Sequence, residues 1–132
     1  VVMALLLIVM AGISGSCKKP PGPGGKATVK GRVLAKDFNN TNSYVLGEYY
    51  APGENVYICY GNNENVANDI KTSADGSFQF RFLNKGHYKV FVTSADTSIH
   101  VKGADKEVPV QVEFDIISAT QTIDLGDLKV NR

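Results

Sequence analysis

Two thiols, two imidazoles and a group of three phenols are the side chains of this chain with chemistry to offer. Cys17 stands directly behind the small residues Ser14, Gly15 and Ser16, and these follow an apolar run from Val1 to Ile13. Cys59 lies inside Val56-Tyr57-Ile58-Cys59-Tyr60, with no His or cation beside it to stabilise a thiolate. It is expected to be a buried thiol that behaves as a small apolar residue. Two cysteines are too few for a disulfide-stapled secreted scaffold. His87 and His100 fall on different segments, with no Cys or carboxylate at metal-ligand spacing, and are expected to be exposed or locally bonded. Asp37, Asn39, Asn40 and Asn42 make one oxygen-rich loop, and Asn62, Asn63, Glu64 and Asn65 another. Hard cations favour such oxygens, but the carboxylates are few and Asn is a good turn residue, so no metal and no cofactor is assigned. Tyr44, Tyr49 and Tyr50 offer large surfaces with polar tips, suited to a sugar or a protein contact. The alternative for them is packing as hairpin side chains over the domain.

The leader sets the compartment. Thirteen residues are too few to span a bilayer, which takes about 20. An apolar core followed by small residues is the pattern of a secretory signal peptide, here residues 1–16. Because Cys17 follows at once, the segment resembles a bacterial lipoprotein signal, in the looser form of Bacteroidetes-type leaders, with Ser14 where Leu is usual. That resemblance implies cleavage before Cys17, lipidation of its thiol and acylation of the new amine, giving an anchor in the cell envelope, expected at the outer membrane. More than one buried acyl chain, at about 0.8 kcal/mol per CH₂, makes such anchoring stable. Residues 17–26 then read as the lipidated Cys and a Pro/Gly-rich tether, since Pro20, Pro21, Pro23 and the glycines oppose helix and sheet.

The remaining residues, 27–132, are expected to fold as one all-β domain, an antiparallel β-sandwich of about seven strands. No stretch shows helical periodicity, while alternation of apolar and polar residues is general. Val29, Gly31 and Val33 alternate with Thr28, Lys30 and Arg32. Asp75-Gly76 between two extended runs is a hairpin signal. Phe78, Phe80 and Phe82 are expected on one face, to be covered by a second sheet. Tyr88, two residues after Gly86, resembles the tyrosine corner of sandwich domains, in which the hydroxyl bonds back to the main chain. Pro109 within Val108 to Phe114 points to an edge strand.

Taken together, Gly31-x-Val33, Val56-x-Ile58 and Thr72-x-x-Asp75-Gly76-x-Phe78-x-Phe80-x-x-Leu83-x-x-Gly86-x-Tyr88-x-Val90 resemble the carboxypeptidase regulatory-like domain, over roughly residues 27 to 130. The resemblance implies a transthyretin-like (prealbumin-type) sandwich and lends no catalytic residue. The chain departs from that pattern between Asp37 and Glu54, where a longer link carries the three tyrosines. With 14 basic and 13 acidic residues, net charge gives no reason to expect a nucleic-acid partner. No G-x-S-x-G elbow, phosphate-binding Gly loop or basic-aromatic patch is present. The expectation is a non-enzymatic, lipid-anchored interaction or spacer module whose partner is a cell-envelope protein or a glycan. The alternative is a glycan- or small-ligand-binding lipoprotein that uses the Tyr44–Tyr50 insertion.

Overall fold

The computed structural model describes residues 19–98 and 106–132. They form eight strands: β1 (Pro23–Phe38), β2 (Val45–Tyr50), β3 (Asn55–Tyr60), β4 (Asn68–Lys71), β5 (Ser77–Leu83), β6 (Gly86–Ala95), β7 (Glu107–Ile116) and β8 (Thr122–Asn131). These make a sandwich of two four-stranded sheets, one of β1, β2, β5 and β8, the other in the order β4-β3-β6-β7. The all-β sandwich expected from the alternation is present, with one strand more than the seven counted. Pairing is antiparallel except between β1 and β8, which run parallel.

β1 organises the first sheet because it is sixteen residues long. β8 lies along one of its edges from Thr28 to Lys36. Its other edge is shared end to end: β5 pairs with Pro23–Arg32 and β2 with Leu34–Phe38. Val33 bridges the junction, donating its N–H to Gly76 O and accepting from Ala51 N, each at 2.9 Å. A side chain on Gly76 would stand 2.8 Å from Tyr50 Cβ, and Gly76 has φ +77°, so this close approach requires glycine.

Period-two alternation sends Ala27, Val29, Val33 and Ala35 of β1 inward. They meet Val56, Ile58, Tyr88, Val90 and Val92 of the second sheet in one core that also holds Phe78, Phe80, Leu83, Ile116, Leu128 and Val130. Burial of a Val or Ile side chain contributes about 1.5–3 kcal/mol each, which is what holds the sheets face to face. Cys59 is fully buried and unpaired, as expected of it. Among the described residues no buried side-chain nitrogen or oxygen lacks a hydrogen-bond partner.

Three local expectations are corrected. Asp75-Gly76 makes a turn but not a hairpin, because β4 and β5 belong to different sheets and the turn carries the chain across the sandwich. Ser73 N bonds Ser77 O at 2.8 Å, and Asp75 Oδ1 accepts from Ser77 N and Oγ. Those two bonds hold the Asp75 carboxyl below the usual carboxylate range. Secondly, Phe82 does not join Phe78 and Phe80. It takes φ +60° and points to solvent at 65% exposure, and Leu83 fills the core instead.

The third correction concerns the expected tether, of which residues 19–26 are described. Pro23–Lys26 belong to β1, and Gly22 is buried. Proline is tolerated as the first residue of a strand. A Cβ on Gly25 would collide with the main chain of Leu83, so that glycine serves close strand approach rather than flexibility. Tyr88 completes the lock as a tyrosine corner. Its hydroxyl donates to Asn84 O at 2.7 Å and accepts from Gly22 N at 2.8 Å. Asn84 adds a bond from its N–H to Gly22 O at 2.9 Å, and its side-chain amide donates to Pro20 O at 3.2 Å and Pro23 O at 3.1 Å. The segment from Pro20 onward is therefore part of the folded domain.

Candidate recognition surface

The insertion between Asp37 and Glu54 folds as the Asn39–Tyr44 turn followed by β2. Asn39 shapes the turn: its Oδ1 accepts from Ser43 N at 2.8 Å and Tyr44 N at 3.2 Å, and its amide donates to Thr41 Oγ1 and Ser43 Oγ. Asn39 Oδ1 in the first oxygen-rich loop is thus engaged within its own loop, as is Asn63 Oδ1 in the second, which accepts from Asn65 N at 3.0 Å. Among the described residues no group of three or more His, Cys, Asp or Glu is arranged to hold a metal ion.

Among the described residues β2 pairs with β1 alone and ends its sheet, so one row of its backbone N–H and C=O groups faces outward. All six of its residues are exposed. Tyr44, Leu46, Tyr49 and Tyr50 are 61%, 60%, 46% and 40% exposed. Tyr44 and Tyr49 are therefore open to solvent, whereas Tyr50 lies across the outer face of its sheet. The three do not form one aromatic platform. Tyr49 opposes Ala35, whose side chain is inward, and Tyr50 opposes Leu34, so adjacent rings leave opposite faces. Tyr44 lies before the strand, about 20 Å along an extended chain from Tyr50.

Tyr50 belongs to a constellation that local sequence does not reveal. The Arg32 guanidinium stands 5.0 Å from its ring centroid, within cation–π range. The Tyr50 hydroxyl donates to Asp127 Oδ2 at 3.1 Å. Arg32 is opposite Asp127 on β8 and opposite Ser77 on β5, so three strands bring the group together. One step along β1, Lys30 is opposite Asp124 and Gln79. A groove of about 680 Å³ runs over this face, lined by Lys30, Arg32, Lys71, Gln79, Asp124 and Asp127 among others. Its donors and acceptors are fixed by strand register, and its charges are mixed. Finding Arg32 and Asp127 from sequence would have required the β1–β8 register, which no local signal encodes; only the placement of Arg32 on the wet face of β1 was readable.

The remaining candidates are placed as follows. His87 is half-buried; its Nδ1 is 2.8 Å from Asp115 Oδ1 and its Nε2 is 3.8 Å from Glu113 Oε2, on the β6–β7 pair. Its side-chain partners are carboxylates, with no nucleophile between them. Cys59 Sγ contacts Glu64 O at 3.8 Å and has no route to solvent. Cys17 and His100 lie outside the described residues.

No family model matches the chain. No curated protein matches it either. Among solved structures it is similar to one from Pseudomonas aeruginosa described as "a putative carbohydrate binding protein", with 11% identity, TM-score 0.47, and coverage of 85% of this chain and 92% of that one. It is also similar to (S)-allantoin synthase, with 11% identity and TM-score 0.47, over 82% of this chain and 42% of that one. Likenesses at this level say nothing of activity.

Proposed function

We propose that this chain is a non-catalytic interaction module of the bacterial cell envelope, held at the membrane through a lipid on Cys17, which presents β2 to a partner. The observation that carries the reading is β2 itself: an edge strand exposed along its whole length, with Leu46, Tyr49 and Tyr50 open to solvent. Edge strands of this kind are ordinarily blunted by lysine, proline or a covering segment. β2 has one charge, Glu48, and that is engaged with Lys36 at 3.7 Å. An extended partner segment added to this edge gains main-chain hydrogen bonds from the strand and side-chain contacts with Tyr49 on one face and Tyr50 on the other. The resemblance to carboxypeptidase regulatory-like domains agrees with a module that binds rather than reacts, and a His87 flanked only by Asp115 and Glu113 supplies no nucleophile.

The test is recovery of the intact, lipidated protein from its own membranes in detergent, with co-purifying proteins identified by mass spectrometry. Glu48→Pro removes a main-chain donor from the free edge of β2, because the Ala51 N–H bond to Val33 O sets the N–H groups of Gly47 and Tyr49 towards β1 and that of Glu48 outward, and Tyr49→Ala removes a ring. Loss of a stoichiometric partner in both variants supports strand addition. Retention of that partner in both places the contact elsewhere on the domain.

A second reading is favoured by the Tyr50–Arg32–Asp127 constellation. An aromatic ring beside carboxylates, a guanidinium and an amide matches the mixed apolar and hydrogen-bonding character of a sugar ring. The ligand would then be a glycan lying over the groove between Lys30 and Asp127. Glycan-array binding that disappears in Tyr50→Ala and Asp127→Asn, and survives Glu48→Pro, selects this reading over the first. An array on which the parent protein binds nothing removes it.

A further inference from the structure

The end of the sandwich where the chain enters β1 has features that the β2 surface does not use. Three segments meet there: Lys19–Lys26, Phe82–Gly86 at the crossing from β5 to β6, and Ile116–Gln121 at the turn from β7 to β8. Gly86 is paired with Ile116, and Asn84 with the 20–23 segment, so these segments are neighbours in space. They surround a largely apolar groove of about 960 Å³ lined by Pro20, Pro21, Leu83 and Ile117, with Lys19, Lys26 and Lys85 at its margin and no acidic residue in its wall.

Two large apolar side chains are displayed at this end. Ile117 is 77% exposed and Phe82 65% exposed, the highest values among the large hydrophobics described. Phe82 is held outward by φ +60°, a left-handed conformation that costs a side-chain-bearing residue free energy. Strain retained to expose a phenylalanine is the kind of outlier that marks a working surface. Arg81 stands beside it, its guanidinium 5.7 Å from the ring centroid.

The position of Cys17 identifies what meets this surface. Pro20 is already fixed, through the bond from Asn84 to its carbonyl. Only three residue steps separate it from Cys17, at most about 11 Å of fully extended chain. A lipid on Cys17 sits in the bilayer, so this end of the domain cannot stand away from the headgroups. Apolar side chains ringed by lysines are the complement of that boundary: hydrocarbon below, phosphate at its rim.

We propose that the domain docks directly on the phospholipid surface, with Phe82 and Ile117 inserted at the interface and Lys19, Lys26, Lys85 and Arg81 against lipid phosphates. This rests on the lipid anchor at Cys17 proposed above. The anchor is then a pivotless mount and not a leash. Asp115 and Glu113, on the strand leading to this end, are engaged with His87, and neither they nor Asp124 lines the groove.

The chain contains no tryptophan, so single tryptophans report cleanly. The lipidated full chain carrying Phe82→Trp, Ile117→Trp or Tyr49→Trp is reconstituted into phosphatidylethanolamine–phosphatidylglycerol vesicles, with and without brominated acyl chains. Docking gives a blue shift and bromolipid quenching at positions 82 and 117, none at position 49, and a loss of quenching when Lys19, Lys26 and Lys85 are all changed to Glu. Water-exposed emission at 82 and 117 from a protein that floats with the vesicles overturns docking and leaves the anchor standing. Failure of the protein to float, together with unchanged cell fractionation of Cys17→Ser, overturns the anchor and the docking with it. Quenching at all three positions indicates general adsorption and also overturns the proposal.

Discussion

Tyr88→Phe tests the most consequential feature of the fold, the fixing of the N-terminal segment. The substitution keeps the ring, which is fully buried, stacked on Phe114 at 5.7 Å and met edge-on by Tyr60 at 5.8 Å. Packing is therefore conserved, and only the hydroxyl is lost. That hydroxyl donates to Asn84 O and accepts from Gly22 N. Removing an ordinary hydrogen bond costs about 1 kcal/mol net, and leaving a buried donor unsatisfied costs about 1–3 kcal/mol. Asn84 is only half-buried and its carbonyl can turn to water, whereas Gly22 is buried and its N–H cannot. The expected loss is about 2–3 kcal/mol, a large part of the 5–15 kcal/mol typical of a domain. For a domain of this size that lowers Tm by roughly 10 °C. Urea unfolding followed by circular dichroism reads it as a lower midpoint with unchanged slope. A loss below about 0.5 kcal/mol would falsify the reasoning, because it would mean that the Gly22 N–H was already solvated and that the segment hangs free.

Other consequences follow from single residues. Burial raises the pKa of Tyr88 above its ordinary value of 10.0, so the folded state holds that proton after the unfolded chain has released its own; stability should be unaffected below pH 10, fall above it until the folded pKa is passed, and show less of this fall in Tyr88→Phe, as followed by unfolding midpoints against pH. Gly76→Ala should cost about 2 kcal/mol or more, from φ +77° and the contact with Tyr50 Cβ; a calorimetric Tm equal to the parent's would show that the β2–β5 junction can yield. Phe82→Gly relieves the φ +60° backbone and should leave stability unchanged or raise it by up to about 1 kcal/mol, whereas a loss above that in denaturant melts would mean the ring packs on the domain. Cys59 should resist a thiol reagent in the native protein and react fully in denaturant, and rapid native labelling would contradict its burial.

The parts of the fold that could be read directly were those with local causes. Alternation in Thr28–Val33, Tyr88–Val92 and Val108–Phe114 marks β1, β6 and β7, because a strand's period is two whatever it pairs with. Pro109 sits on β7, at the edge of its sheet, as its missing donor requires. Tyr88 was legible because the corner is made within four residues, between the hydroxyl and Asn84 O. What failed had nonlocal causes. Asp75-Gly76 has the chemistry of a turn, and no residue within it records whether the flanking strands pair or part to different sheets. Phe82 continued a perfect alternation, yet its φ of +60° breaks the pattern one residue before the strand ends, and Leu83 enters the core in its place. Gly22, Gly24 and Gly25 read as flexible by composition, while Gly25 is needed for contact with Leu83, which lies 58 positions away. The Tyr50–Arg32–Asp127 group draws on β2, β1 and β8, so Arg32 and Asp127, two of its three members, stayed hidden until the register was known.

β1 connects the two surfaces and sets their relation. Pro23 and Ala27 are both opposite Leu83 at the lysine-rimmed end, and Leu34, opposite Tyr50, lies seven residues beyond Ala27 on the same strand. At about 3.3 Å per residue, the near end of β2 is therefore roughly 23 Å from that end. A free ten-residue Gly/Pro linker would have a comparable reach, about 17 Å root mean square, but no direction, and β2 would face the bilayer as often as it faced away. With Pro20 and Gly22 bound into the sandwich, direction comes from the strand. Under the proposed anchor and docking, a partner from the aqueous side would meet Tyr49, Tyr50 and the free edge of β2 already turned towards it, and association would avoid the orientational entropy that a swinging domain loses. The glycines and prolines that look like a leash are packed into the fold, and with the lipid proposed on Cys17 the close packing of β1 against Leu83 and Asn84 would make that attachment an oriented one.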